Sequence, residues 1–478
     1  DLLKNIPNIT VEKDGTIKYD NVEIEKVMVE GDDFFNRGYS ILTKNMPNKP
    51  LNKVEVLKNY SNNKLLKGVE QSDKVAINLT IDDEYRDIWF GDISLGYGIV
   101  SENRYKVKGN LMNFGKKYKS FLTYGLNNVG QDDVGRLDNM FYNNEEMESI
   151  GNYKHNSQLM NLNINRVGLL KDERTRINNA EFVSLSTIIP LSKKFKIKVV
   201  GFLGGDENYA FNQQTNITNA EGTYFENNES NSFKSHLKTG YVSLFGSYDI
   251  SKTTMLQFGS VWNKGKLEDM NDLTFNGIRT LERLESQNSF IDQKITYTHK
   301  WKERNVILLK TRYFSNKIPQ LYNLDDYLMG DLFLFDADAM SNDIYNKKTY
   351  FGLEADIKLK QKNGDLFDFQ FGYDHQDHSI LTKFALFDGT ERFVPNGFQT
   401  NSRYIVGDSY FKTGYRWKWE NKTIQGKIEA HQLFNNFNSF ENEKKQNPFY
   451  INPELNFNWD VKPTHILTAS YRLRYRNN

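Results

Sequence analysis

From Thr349 to Asp374, TYFGLEADIKLKQKNGDLFDFQFGYD, apolar and polar residues alternate strictly on both sides of a short polar turn. On the first arm Phe351, Leu353, Ala355, Ile357 and Leu359 share one face, and Gly352, Glu354, Asp356 and Lys358 share the other. That is the period-two pattern of a β-strand. The second arm sets Phe367, Phe369, Phe371 and Tyr373 against Asp368, Gln370, Gly372 and Asp374. A face charged at nearly every step must meet water, and the apolar face must meet a core or lipid. The same grammar runs from Phe411 to Trp419, with Lys412, Arg416 and Lys418 on the polar face, and again from Ile451 to Val461. In the last segment Leu467, Ala469, Tyr471, Leu473 and Tyr475 oppose Arg472, Arg474 and Arg476. Each arginine would cost about 2 to 4 kcal/mol at a bilayer midplane, so this row marks a lumen face.

From Ile88 onward the pattern predicts about fifteen strands at roughly 26 residues each. Short polar turns fall near Gly115 to Lys117, Ser192 to Lys194, Ser251 to Thr253, Lys302 to Arg304, Gln361 to Gly364, Glu420 to Lys422 and Lys462 to Thr464. Between them lie long, Asn-rich connections: Gln131 to Asn179, Gln213 to Asn231, Lys264 to Glu285 and Pro319 to Asn346. Alternating short and long connections are what a transmembrane antiparallel β-barrel produces, with tight periplasmic turns and long extracellular loops. Trp301, Trp417, Trp419 and Trp459 sit near the short turns, where an aromatic girdle belongs. The segment His155 to Gly168 also alternates, but counting it as spanning would reverse the long-short order, so it belongs to a large extracellular insertion.

The first 84 residues read differently. Asp1 to Pro7 resembles the end of a short helix stopped by proline, and Ile9 to Tyr19 a hairpin around Asp14-Gly15. Strands follow at Val27 to Glu30, Val54 to Leu57 and Val75 to Ile81, with a turn at Gly31 and an aromatic pair at Phe34 and Phe35. The expectation is a small α/β domain at 1–84 ahead of an all-β barrel at 85–478.

Composition narrows the class. Aromatic residues make up 14% of the 478, and no stretch approaches the roughly 20 apolar residues of a transmembrane helix. The formal charge of +1 gives no argument for nucleic acid. Without a single cysteine there is no disulfide framework, thiolate ligand or cysteine nucleophile. No signal peptide opens the chain, so it reads as mature or cropped.

At this point the residues resemble a family. The opening DLLKNIPNITVEKDGTIKYDNVEIEKVMVEGDDFF, then TKNMPNKPLNKVEVLKNY and VAINLTI, resembles the plug of TonB-dependent receptors, in the outer-membrane β-barrel group of Bacteroidota. The matching positions include Leu2, Leu3, Pro7, Asp14, Gly15, Gly31, Phe34, Phe35, Pro47, Val54 and Val56. Farther on, IWFGDISLGYG and RINNAEFVSLSTIIPLSKKFKIKVVGFLGGD resemble the family's first barrel strand and an early hairpin. The resemblance implies a barrel of about 22 strands around a plug, an outer-membrane setting in a Gram-negative cell, and ligand import powered by a TonB-type periplasmic partner. Some members act instead as subunits of larger outer-membrane machines, with surface lipoproteins or other barrels as partners. Against that pattern, about seven strands are missing after Asn478, and the upstream TonB-contacting box lies outside the chain. KNYSNNKLLKGVEQSDK, Lys58 to Lys74, also departs from the Arg-Gly-Pro-rich loop usual at this place.

Chemistry beyond transport is thin. Asp374-His375-Gln376-Asp377-His378 has the donors of a metal site, but in a strand His375 and His378 point to opposite faces. Glu429 and His431 share a lumen face and could form an acid-base pair, without any nucleophile or positioning motif beside them. No phosphate loop, zinc motif or hydrolase elbow appears, and no cofactor is called for. The basic positions Lys412, Arg416, Arg472 and Arg474 are candidates either to guide an anion or to pair with Glu354, Asp356, Glu429 and Glu454 or with plug carboxylates.

Overall fold

The structure is a computed structural model that describes all residues except 1–5, 13–15, 36–37, 71, 100–102, 135–146, 149, 152–157, 163–174, 221, 326–334, 336, 441, 463–464 and 476–478. It contains two sheets. The smaller is built from β1 (Ile9–Val11), β2 (Ile17–Tyr19), β3 (Val22–Val29), β4 (Asp32–Asp33), β5 (Leu51–Lys58) and β6 (Val75–Ile81), ordered β1-β2-β3-β6-β5 with β4 on β3. Only the β3 and β6 pair is parallel. Glu30 and Gly31 join β3 to β4 with φ of 51° and 75°, a turn with two positive φ values that suits a two-residue hairpin. A helix, α1 (Ser40–Asn45), lies where the sequence pattern predicts none, and Ile6-Pro7 is not helical. Its Ile41 and Leu42 join Ile17, Val27, Val29, Ile77 and Ile81 in a buried core.

The larger sheet is the barrel wall: β7 (Trp89–Gly98), β8 (Arg104–Phe114), β9 (Lys119–Asn127), β10 (Ile177–Ser192), β11 (Phe195–Ala220), β12 (Thr223–Asp249), β13 (Thr254–Phe275), β14 (Ile278–Trp301), β15 (Asn305–Asp325), β16 (Ala339–Lys360), β17 (Leu366–Asp388), β19 (Thr400–Trp419), β20 (Lys422–Ser439), β22 (Phe449–Lys462) and β23 (His465–Arg472). Short ribbons β18 (Glu391–Phe393) and β21 (Asn442–Gln446) pair with β17 and β20. Neighbours along the chain pair antiparallel, and β9 pairs with β10. The ring's seam lies between β23 and β7, which run the same way. No residue register among the described residues joins those two strands, and both are exposed on both faces.

Each predicted short turn separates two wall strands, including Gln361 to Gly364 between β16 and β17. Two predicted long loops are instead ribbons. β11 and β12 pair residue for residue as far as Ala220 opposite Thr223, across what the sequence pattern gives as a loop from Gln213 to Asn231. Likewise β13 and β14 pair up to Phe275 opposite Ile278, across Lys264 to Glu285, and turn at Asn276-Gly277 with φ of 49° and 85°. Asn-Gly is the strongest hairpin signal a sequence carries, and a strand wet on both faces needs no apolar alternation to persist. Part of Pro319 to Asn346 is strand as well, since β15 and β16 pair to Asp325 opposite Ala339. A span needs only about 9 to 11 residues, so strands of this length project well beyond a bilayer.

Burial alternates along the wall. In β15 Val306, Leu308, Lys310, Arg312, Phe314, Asn316, Ile318 and Gln320 are buried toward the lumen, while Leu309, Tyr313 and Leu321 are exposed outside. The outer face is therefore an apolar band of exposed Leu, Ile, Val, Phe, Tyr and Trp, suited to lipid.

Candidate gate in the barrel lumen

The small sheet is held in the lumen at the short-turn end from two sides. On one side the β3-β4 hairpin reaches β8 to β11. Phe34 and Phe35 are buried edge-on against Phe114 and Phe121, with ring centroids 5.6 and 5.2 Å apart. Ser186 Oγ donates to the Phe34 carbonyl at 2.9 Å. Beside them the Asp32 carboxylate takes the ammonium groups of Lys119 and, at 2.8 Å, Lys196, and Lys119 also donates to the Glu30 carbonyl at 3.1 Å. Burial pushes the Asp32 carboxyl up, but Lys119 and Lys196 outweigh it and hold it below the usual carboxylate range. Asp33 sits between Lys26 at 3.0 Å and wall Lys198 at 3.8 Å.

On the other side the departing segment Lys58 to Lys74 makes the contact. Asn63 Nδ2 donates to Thr298 Oγ1 at 2.8 Å in a buried bond, and Lys64 pairs with Asp249. Leu66 and Val69 pack on Val306, Leu308 and Leu366. Lys360 donates to the Gly68 carbonyl at 2.6 Å, and Lys358 lies 3.7 Å from Glu70. The Lys58 to Lys74 segment thus ties the inner sheet to β12, β14, β15, β16 and β17.

Above the sheet the lumen wall carries a connected polar network. Lys310 reaches Glu354 at 2.9 Å and Asp356 at 3.4 Å, and Lys358 reaches Asp356 at 3.4 Å and Asp368 at 3.3 Å. Tyr410 donates to Glu354 at 2.7 Å, and Tyr350 donates to Asp374 at 2.7 Å. Two glycines make room for these rings. A Cβ on Gly372 would lie 2.1 Å from Tyr410 Cζ, and one on Gly352 would lie 2.2 Å from the Tyr350 hydroxyl. Arg312 binds Asp292 through two bonds of 3.1 and 3.0 Å and lies over the Phe314 ring at 5.2 Å.

From the other end, the connection between β9 and β10 folds inward. Arg312 Nη1 donates to the carbonyls of Ile150 and Gly151 at 3.2 and 2.8 Å, and Thr296 Oγ1 donates to Glu148 O at 3.0 Å. Gln320 accepts from the backbone of Leu159 and Met160 and donates to Met160 O at 2.8 Å. The sequence pattern puts this connection outside as an extracellular insertion. Its described residues 147–148, 150–151 and 158–162 instead lie against β13 to β16, where Met147 and Ile150 are buried. Most of His155 to Gly168 lies outside the described residues, and 158–162 form no strand.

Solved structures resemble the chain broadly but shallowly. The open form of the ferric-catecholate import receptor Fiu from E. coli K12 matches 98% of this chain with 81% of its own, at 10% identity and a TM-score of 0.37. The ferric yersiniabactin uptake receptor FyuA from Yersinia pestis matches 98% with 82% of its own, at 10% identity and 0.37. The siderophore receptor PiuA from Acinetobacter baumannii matches 97% with 82% of its own, at 10% identity and 0.33. No protein-family profile matches the chain, and no curated protein sequence does.

Leu2, Leu3, Asp14 and Gly15 lie outside the described residues, as does Arg476. Pro7 is exposed, Pro47 half-buried, and Val54 and Val56 pack against the inner core. The Gly31 N–H donates to Asn78 Oδ1 at 2.8 Å. Glu354 and Asp356 meet Lys310 rather than the basic rows of β19 and β23. Lys412 lies 4.5 Å over the Tyr410 ring, and Arg416 stands opposite Gln425 in the wall. Arg472 grips Glu454 with two bonds of 2.6 Å, while Arg474 is exposed just past β23. His431 Nδ1 lies 2.9 Å from Asp408, nearer than Glu429 at 3.8 Å, and stacks on Tyr450. The carboxylate that engages this histidine most closely is therefore one the sequence pairing with Glu429 does not include. His378 bonds Asn346 at 2.9 Å from the lumen face, whereas His375 points the other way, and no group of metal-binding side chains forms among the described residues. Missed entirely were Asp32, Asn63, Arg312 and the glycine-backed tyrosines, whose roles depend on partners more than a hundred residues away or on neighbouring strands.

Proposed function

We propose that the chain is an outer-membrane receptor of the transporter kind, in which residues 1–84 form a plug that gates a barrel of residues 85–478. A TonB-type periplasmic partner draws the plug aside to admit a ligand held by the long extracellular ribbons. The observation that supports this most is the way the inner sheet is seated. Much of its hold on the wall is ion pairs and hydrogen bonds, at Asp32, Asn63, Lys64 and Glu70, which water replaces at modest cost when the sheet moves. Beside these bonds an apolar seam also joins the sheet to the wall, where Phe34 and Phe35 share one cluster with Phe114, Phe121 and Ile188, and parting it is the larger cost that the partner's pull would meet.

A second reading, a non-transporting subunit of an outer-membrane assembly or secretion complex, is favoured by one observation. Ile150, Gly151 and Met160, held by Arg312 and Gln320, lie against the inner face of the wall on the side opposite the inner sheet. A pull-down of the full chain from native membranes separates the two. Recovery alone or with one surface lipoprotein fits transport, and recovery in stoichiometric amounts with other barrels overturns it in favour of the assembly role.

A further inference from the structure

On the inner face of β17, β19, β20 and β21 a recess of about 450 Å³ opens at the mouth of the barrel, within the range of about 300 to 1,000 Å³ that small-molecule sites occupy. With the short turns as the periplasmic end, it lies above the membrane. His378 is about 12 residues from the turn before β17 and Phe437 about 15 from the turn before β20, past the roughly 9 to 11 that a span takes. Register fixes which side chains meet there. His378, Tyr404, Phe437 and Lys444 stand opposite one another in one row across the four strands, and Asn435 stands opposite Gln446 in the next row on the same face.

Two features select among ligands. Asn435 lines the recess and is 7% exposed, yet its Oδ1 has no hydrogen-bond partner among the described residues. A buried oxygen left so costs about 1 to 3 kcal/mol, which a hydroxyl hydrogen of a ligand recovers. The second is Phe437, whose ring is 39% exposed on the inner face beside Tyr404. The negative face of an aromatic ring attracts polarised C–H bonds, and a sugar ring presents a row of them on one side with hydroxyls around its edge. Charge, by contrast, is sparse. Lys444, at the exposed rim, is the only lysine or arginine that lines the recess among the described residues, and no carboxylate does. Lys348 stands opposite His378 but outside the lining, while Asp377 pairs with Arg403 and Glu443 with Lys445 on the opposite face. An anion or a metal chelate offers acceptors alone and leaves the Asn435 oxygen unpaired.

We propose that this recess binds a neutral saccharide, one ring of which lies on Phe437 while a hydroxyl donates to Asn435 Oδ1. Ser402 and Gln446 add a hydroxyl and an amide, each able to donate and to accept. One ring nitrogen of His378, Nε2, is taken by Asn346 at 2.9 Å, and the other is left for a second hydroxyl. The inference rests on the receptor reading and deepens it by naming the class of ligand.

The test applies the full chain, purified in detergent and fluorescently labelled, to a printed array of neutral and acidic glycans. Wild type should bind a subset of the neutral glycans, and raising salt from about 50 to about 500 mM should leave that binding unchanged. For the glycan bound best, calorimetric titration should show Phe437→Ala and Asn435→Leu each weakening affinity about tenfold or more. Phe434→Ala, which removes an exposed ring from the outer face of the same strand, and Lys444→Gln should each leave affinity within about twofold. Heat-modifiable gel migration checks that the variants remain folded barrels, and Phe437 is exposed enough that its loss spares the fold. Absence of binding to any neutral glycan, binding confined to acidic glycans, or wild-type affinity in folded F437A overturns the proposal. The array needs neither an energised membrane nor the periplasmic partner, so those failures leave the gating reading standing. Glycan binding without partner-dependent uptake by cells overturns the receptor reading instead.

Discussion

Asp32→Asn is the change that most directly loosens the inner sheet. The carboxylate is largely buried and holds two lysines from different wall strands. The Lys119 side chain is only 14% exposed, so its charged hydrogen bond is worth about 1.5 to 3 kcal/mol. Lys196 is half-exposed, and its pair adds about 0.2 to 1 kcal/mol. Losing both weakens the seat by about 2 to 4 kcal/mol, which raises the opening equilibrium by about 30- to 700-fold. Hydrogen exchange of the β3 and β6 amides in vesicle-inserted protein reads that opening, with the wall amides as internal reference. The pH dependence has a definite sign. The folded Asp32 carboxyl lies below its ordinary value of 3.8, so its contribution is complete above that value and fades as pH falls through the lower folded one. The opening constant, taken as the exchange rate divided by the intrinsic amide rate at each pH, should therefore rise on acidification in wild type and respond less in D32N. Unchanged exchange in D32N at neutral pH, or equal loosening of the wall strands, refutes the reasoning.

Other outcomes follow from the same geometry. Gly372→Ala places a methyl group on the Tyr410 ring, displaces its bond to Glu354, and should cost about 3 to 5 kcal/mol in denaturant unfolding from vesicles, while Gly426→Ala, with open space around it, should cost little. Arg312→Gln leaves Asp292 to Lys294 alone, at 3.4 Å, and frees the Ile150 and Gly151 carbonyls; it should cost about 1 to 3 kcal/mol and open the chain at Ile150-Gly151 to protease. Leu353→Arg puts a charge on the lipid face and should cost about 2 to 4 kcal/mol of insertion, measured by refolding yield into vesicles. Phe34→Ala should cost about 3 to 5 kcal/mol and release the inner sheet without altering the wall's heat-modifiable mobility.

The wall was legible in the sequence because lipid and lumen enforce opposite chemistry on alternate residues. Leu353 and Glu354 announce their faces without reference to anything distant. The turns were legible for a similar reason, since residues such as Asn363-Gly364 and Ser251 to Thr253 carry local turn chemistry. Where both faces of a strand meet water that constraint lapses, and so Gln213 to Asn231 reads as loop although it pairs throughout. The gate was harder. Phe34 and Phe35 stand out as an aromatic pair, but nothing near them in sequence names Phe114, Phe121 or Ser186 as their seat. The inward placement of Ile150, Gly151, Leu159 and Met160 depends on Arg312 and Gln320 finding backbone carbonyls and amides some 160 residues back, a pairing no local pattern encodes.

On the proposed gating the inner sheet moves away from the wall, and Asn63 is the place to watch it. Asn63 is 1% exposed between the sheet and Thr298, and the chain has no cysteine, so Asn63→Cys gives a single thiol. In living cells that thiol should react with a water-soluble maleimide when the TonB-type partner is present and energised, and should stay protected when the partner is removed. Protection under both conditions, or equal labelling under both, would contradict the account.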